Sequence, residues 1–294
     1  MIARIASVLK TRGLAAVVQS ARRRFVPERL RSFALLKPLI AGKSGLEIGG
    51  PTAMFRRDGL MPVYAVIGRL DNGNFSDRTI WEGTIREGAT FQYDDRHAPG
   101  RQFIVEATDL GPIPSQHYDL LASSHTLEHT ANPLKALREW MRVLSADGVL
   151  LLVVPHKEGT FDHRRPVTTL AHLIQDETDA TNEHDLTHLA EILECHDLSL
   201  DAPAGDAAAF KLRSERNFEN RCLHHHVFDT NLAVELLNYA GLQVLAVEPV
   251  RGAAPHLRDC AKAARRTVTG QSEVPRPDRV LSRTQSVCVG SAGS

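Results

Sequence analysis

The sequence predicts an α/β fold in which helices flank a central, mostly parallel sheet of about seven strands. From Ser44 onward short apolar runs alternate with helical patterns, the order that builds a parallel sheet covered on both faces. The run Val149-Leu150-Leu151-Leu152-Val153-Val154 has no polar alternation, so it reads as a central strand buried on both faces. Just before it lies the clearest helix. Asn132 suits its N-cap, Pro133 its first position, and Leu134, Leu137, Met141 and Leu144 recur at a helical period. Asp147-Gly148 then reads as the stop that turns the chain into the strand.

Strands are expected at residues 45–48, 63–67, 102–105, 118–122 and 149–154, in that order. A helix at 232–239 ended by Gly241, a strand at 242–247 and a seventh strand at 286–290 complete the set. Residues 1–43 are expected to form a basic helical extension and 44–290 the main domain, with a helical, His-rich insertion or lid at about 158–221 and a short tail at 291–294. The Pro-, Arg- and Ser-containing stretch at about 252–283 reads as a flexible loop.

Composition narrows the classes of function. With 43% apolar residues in 294, the chain can bury a substantial core. Basic and acidic residues balance at 35 each, which argues against a dedicated nucleic-acid binder and for a small molecule or saccharide. The four cysteines are scattered, with no C-x-x-C pair, which fits a reducing compartment, so the expected location is the cytoplasm. No apolar run is long enough to span a bilayer. Glu28 is the only acid in the first forty residues, among Arg22, Arg23, Arg24, Arg29 and Arg31, so this arm could meet an anionic membrane surface or a protein partner.

Ligands of open α/β sheets sit beyond the carboxyl ends of the strands. The first such segment is Glu47-Ile48-Gly49-Gly50-Pro51-Thr52, whose paired glycines permit a sharp turn and close approach to a ligand, with a following helix expected to offer its N-terminal amides. It lacks the G-x-G-x-x-G of nicotinamide-binding sheets, because Met54 holds the third glycine position. At the fourth strand's exit the chain runs Tyr118-Asp119-Leu120-Leu121-Ala122-Ser123-Ser124-His125-Thr126-Leu127-Glu128-His129, and Arg142-Val143-Leu144 later ends the helix.

This stretch resembles the type 11 branch of class I S-adenosylmethionine-dependent methyltransferases, whose usual wording is D-x-[aliphatic] followed by L-E-H and a helix ending R-V-L-x-x-G-G. The likeness covers residues 44–156 well and 227–247 more loosely, and it implies a Rossmann-like fold with S-adenosylmethionine as cofactor. By resemblance, Glu47, Gly49 and Gly50 line the methionine end and Ser123 joins them from the fourth strand. Asp109 would accept a hydrogen bond from the adenine amine, and Leu110 would cover the ring. Two departures stand out. The family's G-x-G-x-G becomes Gly49-Gly50-Pro51-Thr52-Ala53, and the acid expected at the end of the second strand to hold the ribose is missing, with Asp71 as the nearest substitute.

Methyl transfer to a hydroxyl needs an aligned acceptor and a base for its proton, and His is suited to the second task. Of the 14 histidines, twelve lie between His117 and His226. His125 and His129, at the fourth strand's exit, are the candidate bases, and His163 joins them from Asp162-His163-Arg164-Arg165, a cluster able to grip a sugar or phosphate. A divalent metal held among His184, Asp185, His188, His196, Asp197 and His224-His225-His226 is the less favoured reading, since no tight ligand motif occurs. The sequence thus predicts methyl transfer to a saccharide or saccharide-linked intermediate of glycan assembly. Its rival is a catalytically idle cofactor-binding module whose basic arm recruits a partner.

Overall fold

The computed structural model describes residues 29–251 and 284–292, so the basic stretch through residue 28 and the expected loop at 252–283 lie outside the described residues. The elements that carry the site are α1 (Ser32–Ile40), β1 (Ser44–Ile48), β2 (Arg69–Asn74), a small β3–β4 pair (Arg78–Thr79, Gly83–Thr84), β5 (Gly88–Phe91), β6 (Gly100–Ile104) and β7 (Tyr118–Ser124). They continue with α2 (Pro133–Val143), β8 (Leu144–Pro155), α3 (Leu170–Thr178), α4 (Leu189–Cys195), α5 (Ala207–Glu215), α6 (Asn217–Asn220), α7 (Thr230–Tyr239), β9 (Leu242–Arg251) and β10 (Thr284–Ala292).

One sheet runs β5-β6-β2-β1-β7-β8-β10-β9. The five strands from β6 to β8 are parallel, while β10 is antiparallel to β8 and β9, and β5 is antiparallel to β6. The expected Rossmann-like α/β architecture is therefore present, with eight strands rather than about seven because the short edge strand β5 joins the sheet. β1 sits between β2 and β7, so the strand order reverses there, and ligands of such sheets bind at that reversal.

Alternation along β8 explains the two layers of core. Leu150, Leu152 and Val154 join the face covered by Leu134, Leu137 and Trp140 of α2 and by Leu232 and Leu236 of α7. Val149, Leu151 and Val153 join the opposite face with Leu36 and Ile40 of α1, Phe55 and Tyr64. The helix α2 begins as its sequence requires, with Asn132 accepting from the Lys135 N–H at 3.0 Å.

Four sequence expectations change. Residues 63–67 are not a strand: Val63–Ala65 forms a short 3-10 turn buried in the core, and the second strand is the polar run Arg69–Asn74. That run reads as turn chemistry, yet its polar groups are paired inside the sheet. Tyr118 Oη donates to Asp71 at 2.8 Å, Asn72 Nδ2 to the Glu47 carbonyl at 3.1 Å, and Asn74 Nδ2 to Asn72 at 2.7 Å. Asp147-Gly148 lies within β8, at an irregularity where its register with β7 shifts, so Leu144 already starts the strand. The segment after Gly49-Gly50 is one 3-10 turn, Ala53–Phe55, and provides no helix N-terminus. Finally, α1 belongs to the core rather than to an extension, since Leu36 and Ile40 are fully buried and Ser32 donates to Glu248 of β9 at 2.9 Å.

Removing the Tyr118 hydroxyl leaves a buried carboxylate short of a donor. Tyr118→Phe is expected to destabilise the fold by about 1–3 kcal/mol, read as a lower urea midpoint with unchanged slope. An unchanged midpoint would show that this pair does not hold the polar strand.

Candidate active site

Because β6, β2, β1, β7 and β8 are parallel, their carboxyl ends share one rim. Ile48 of β1 stands opposite Gly73 on one side and Ser123 on the other, so the Gly49-Gly50 bend and the Ser123-Ser124-His125 exit are neighbours. Gly49 has φ +84°, and a Cβ there would approach the Thr126 hydroxyl to 2.5 Å. A Cβ on Gly50 would collide with the Glu47 carboxylate. Gly49 therefore requires glycine, while a side chain at Gly50 would have to displace the Glu47 carboxylate.

Glu47 is fully buried beneath this bend. Its carboxylate accepts from the Thr52 N–H at 3.0 Å and from Tyr64 Oη at 2.7 Å. Burial outweighs these donors and pushes its pKa up to about 7. Ser123 is also fully buried, and its hydroxyl lacks a partner.

Other expected residues lie elsewhere. Asp71 sits in the middle of β2, where its carboxylate takes Tyr118, Arg69 and the Arg101 N–H, so it is structural and stands back from the rim. Asn74, at the carboxyl end of β2, occupies the position where an acid was expected. Asp109 is exposed and accepts from the Gly111 N–H of its own loop at 3.0 Å. Leu110 is fully buried against α2, leaving no face to cover a ring. The acid nearest the end of β6 is instead Glu106, half-buried and paired with Arg221 at 2.6 Å. The Arg221 guanidinium also lies 5.1 Å from the Phe75 ring centre, so the insertion reaches over the ends of β2 and β6.

At the exit of β7, His125 has a left-handed backbone, φ +54°, and its N–H donates to the Val153 carbonyl at 2.9 Å. Nδ1 stands 3.4 Å from Glu128 Oε1, and Nε2 has no partner. Glu128 is fully buried with neither carboxylate oxygen hydrogen-bonded. Burial opposes its ionisation, but the surrounding imidazoles of His125, His129 and His224 prevail and hold it at about 2. Burial, reinforced by His224, holds His129 at about 4 and so neutral at pH 7. Its Nδ1 bonds the Leu223 carbonyl at 3.0 Å, and its ring lies 5.5 Å from that of Trp81, in the β3–β4 turn. Sequence reasoning missed Trp81, whose indole is 53% exposed over the rim, because nothing in the chain marks that hairpin as part of the site.

His163 is committed to Asp197 at 3.1 Å, which also takes Arg164 at 3.0 Å. Arg165 is buried and bonds Glu191 and the carbonyls of His224 and His225. The Asp162-His163-Arg164-Arg165 cluster thus knits the insertion and has no free cation for a phosphate. Two groups of side chains among the described residues gather enough ligand atoms for a metal: Glu128, His129 and His224 at the rim, and His172, His188 and His226 in the insertion.

Residues 87–152, from β5 through most of β8, match the family model described as a methyltransferase domain. No curated protein matches the chain. Among solved structures, it is similar to the BH2331 protein of Bacillus halodurans C-125, with 11% identity over 90% of this chain and 98% of that one at TM-score 0.49. It is also similar to an S-adenosylmethionine-dependent methyltransferase from Mesorhizobium loti, with 11% identity over 88% and 95% at TM-score 0.45. No helix among the described residues is long and apolar enough to cross a membrane.

The raised Glu47 gives a test of the bend. Its folded value is above the ordinary 4.5, so the stability it contributes as a neutral acid is present below that value and lost as pH rises through about 7. Relative to Glu47→Gln, the native chain is expected to lose roughly 3 kcal/mol across that window in urea titrations. A difference that stays flat with pH would place Glu47 in a solvated setting.

Proposed function

We propose that this chain moves the methyl group of S-adenosylmethionine to a hydroxyl of a saccharide or saccharide-linked acceptor, with His125 taking the hydroxyl proton. The observation that carries the reading is the His125–Glu128 pair at the exit of β7, beside the Gly49-Gly50 bend where the strand order reverses. When bound, the cofactor supplies a sulfonium methyl open to in-line attack.

The residues present fit such a ligand. Gly49 turns the backbone through a left-handed conformation at the rim, and the Ser123 hydroxyl makes no hydrogen bond within the described residues. Glu47, Gly49, Gly50 and Ser123 would hold the methionine end. Asn74 would serve the ribose hydroxyls in place of an acid. Glu106, rather than Asp109, would take the adenine amine, exchanging its bond to Arg221 for the ligand.

On the acceptor side, Glu128 faces Nδ1 of His125, favouring the tautomer that leaves Nε2 as a proton acceptor. A carboxylate held ionised behind an imidazole also steadies the imidazolium formed when that proton arrives. His129 bonds Leu223 and lines the acceptor space as a neutral ring. The exposed Trp81 beside it offers an apolar face to the C–H side of a sugar ring, which supports the saccharide class. The insertion around Arg221 then acts as the lid over this space.

Transfer of tritiated methyl to nucleotide-linked and lipid-linked sugars tests the reading. His125→Gln is expected to lower kcat about 100- to 10,000-fold while sparing cofactor affinity. Trp81→Ala is expected to raise the acceptor KM about tenfold without changing that affinity. Calorimetry with S-adenosylhomocysteine is expected to weaken for Glu106→Gln and to be unaffected by Asp109→Ala. Tight binding with no turnover on any acceptor would favour the idle module instead.

A further inference from the structure

We infer that the insertion contains a structural metal site for a zinc-like divalent cation, formed by His172, His188 and His226 with Asp176 beside them. The four side chains come from three separate places: His172 and Asp176 lie one turn apart on α3, His188 precedes α4, and His226 lies in the segment leading to α7. One ring nitrogen from each histidine falls within 4.8 Å of the other two. His172 Nε2 and His188 Nε2 are 3.0 Å apart, and Asp176 Oδ2 is 3.5 Å from His172 Nε2 and 3.7 Å from His226 Nε2. Zinc–nitrogen bonds of about 2.0–2.1 Å in a tetrahedron put ligand atoms about 3.3–3.4 Å apart, so these separations match.

A hydrogen bond between two neutral imidazoles would account for His172 and His188 alone. It would leave Asp176 Oδ2 buried without a partner, and it would leave the almost wholly buried His226 with only a long 3.4 Å contact from Nε2 to the Ala131 carbonyl. A cation among these atoms would give the three imidazoles a shared partner and Asp176 Oδ2 a counter-charge, with His226 Nε2 exchanging its long contact to the Ala131 carbonyl for the metal. Three imidazole nitrogens suit zinc, and Asp176, beside His172 and His226, would supply the neighbouring negative charge. Thr181 Oγ1, donating to Asp176 Oδ1 at 3.3 Å, would orient the carboxylate from behind.

The consequence is mechanical. The cation would staple α3 and the start of α4 to the segment whose His224 faces Glu128, so the insertion would be fastened at the edge of the rim. This inference does not depend on methyl transfer.

Metal analysis of the full chain, purified without chelators and dialysed against zinc, tests the site. One zinc per chain is expected, falling at least tenfold in His172→Ala and in His188→Ala, with the thermal midpoint of the native chain lowered by chelation. If those variants do not fold, cobalt loading of the native chain is expected to give the visible absorption of a tetrahedral site. A native chain that stays metal-free, an octahedral cobalt spectrum, or zinc kept in His188→Ala but lost in His129→Ala would overturn the assignment.

Discussion

The rim is organised around a carboxylate held where water cannot reach it. Glu47 stands near the end of the central strand β1, and its oxygens are met by the Tyr64 hydroxyl and the Thr52 N–H. Those two donors tie the bend after β1 to the turn at Val63–Ala65, which is itself locked in the core by Tyr64 and Val63. Space for a backbone without side chains at positions 49 and 50 follows from this arrangement, because Glu47 and Thr126 occupy the volume a Cβ would need. β1 has a parallel neighbour on each side, so fixing its exit also fixes the distance to the exits of β2 and β7.

The insertion after β8 is held by different physics. Its own apolar cluster is small, formed by Ile192, Ala204, Phe210 and Leu223. Most of its cohesion is polar. His224 bonds Asp162 at 2.8 Å, His225 contacts Asn217 at 3.0 Å, and His226 belongs to the group with His172 and His188. Three consecutive histidines therefore serve three different partners, which explains why so many imidazoles are concentrated here. Buried imidazoles without partners would be costly, so a segment this rich in them must either pair each one or bind a cation.

Much of the sheet was legible because its signals are local. The uninterrupted apolar run of β8 and the Asn132-Pro133 start of α2 each state a strand or a helix within a dozen residues. β2 was hidden because Asp71, Asn72 and Asn74 read as a turn and are tolerated in a strand only through bonds to residues 25 to 47 positions away and to each other. The same reading put Asp71 near the strand end, whereas Asn74 ends β2 and Asp71 is paired with Tyr118 inside it. At the rim, Gly49, Gly50, Glu47 and His125 could be named from spacing and resemblance. Trp81 and Arg221 could not, since a hairpin and a distant insertion bring them there. Proposing Glu106 in place of Asp109 rests on side-chain directions, which a loop sequence does not encode.

The central claim is that an adenosyl ligand occupies the reversal of strand order between β1 and β7. A crystal structure of the chain with S-adenosylhomocysteine tests this most directly. The ligand is expected along the rim with its methionine end at Gly49-Gly50 and its adenine at Glu106, and with Arg221 released from that carboxylate. A ligand bound away from the carboxyl ends of the strands, or an unchanged Arg221–Glu106 pair across an empty rim at saturating ligand, would contradict it.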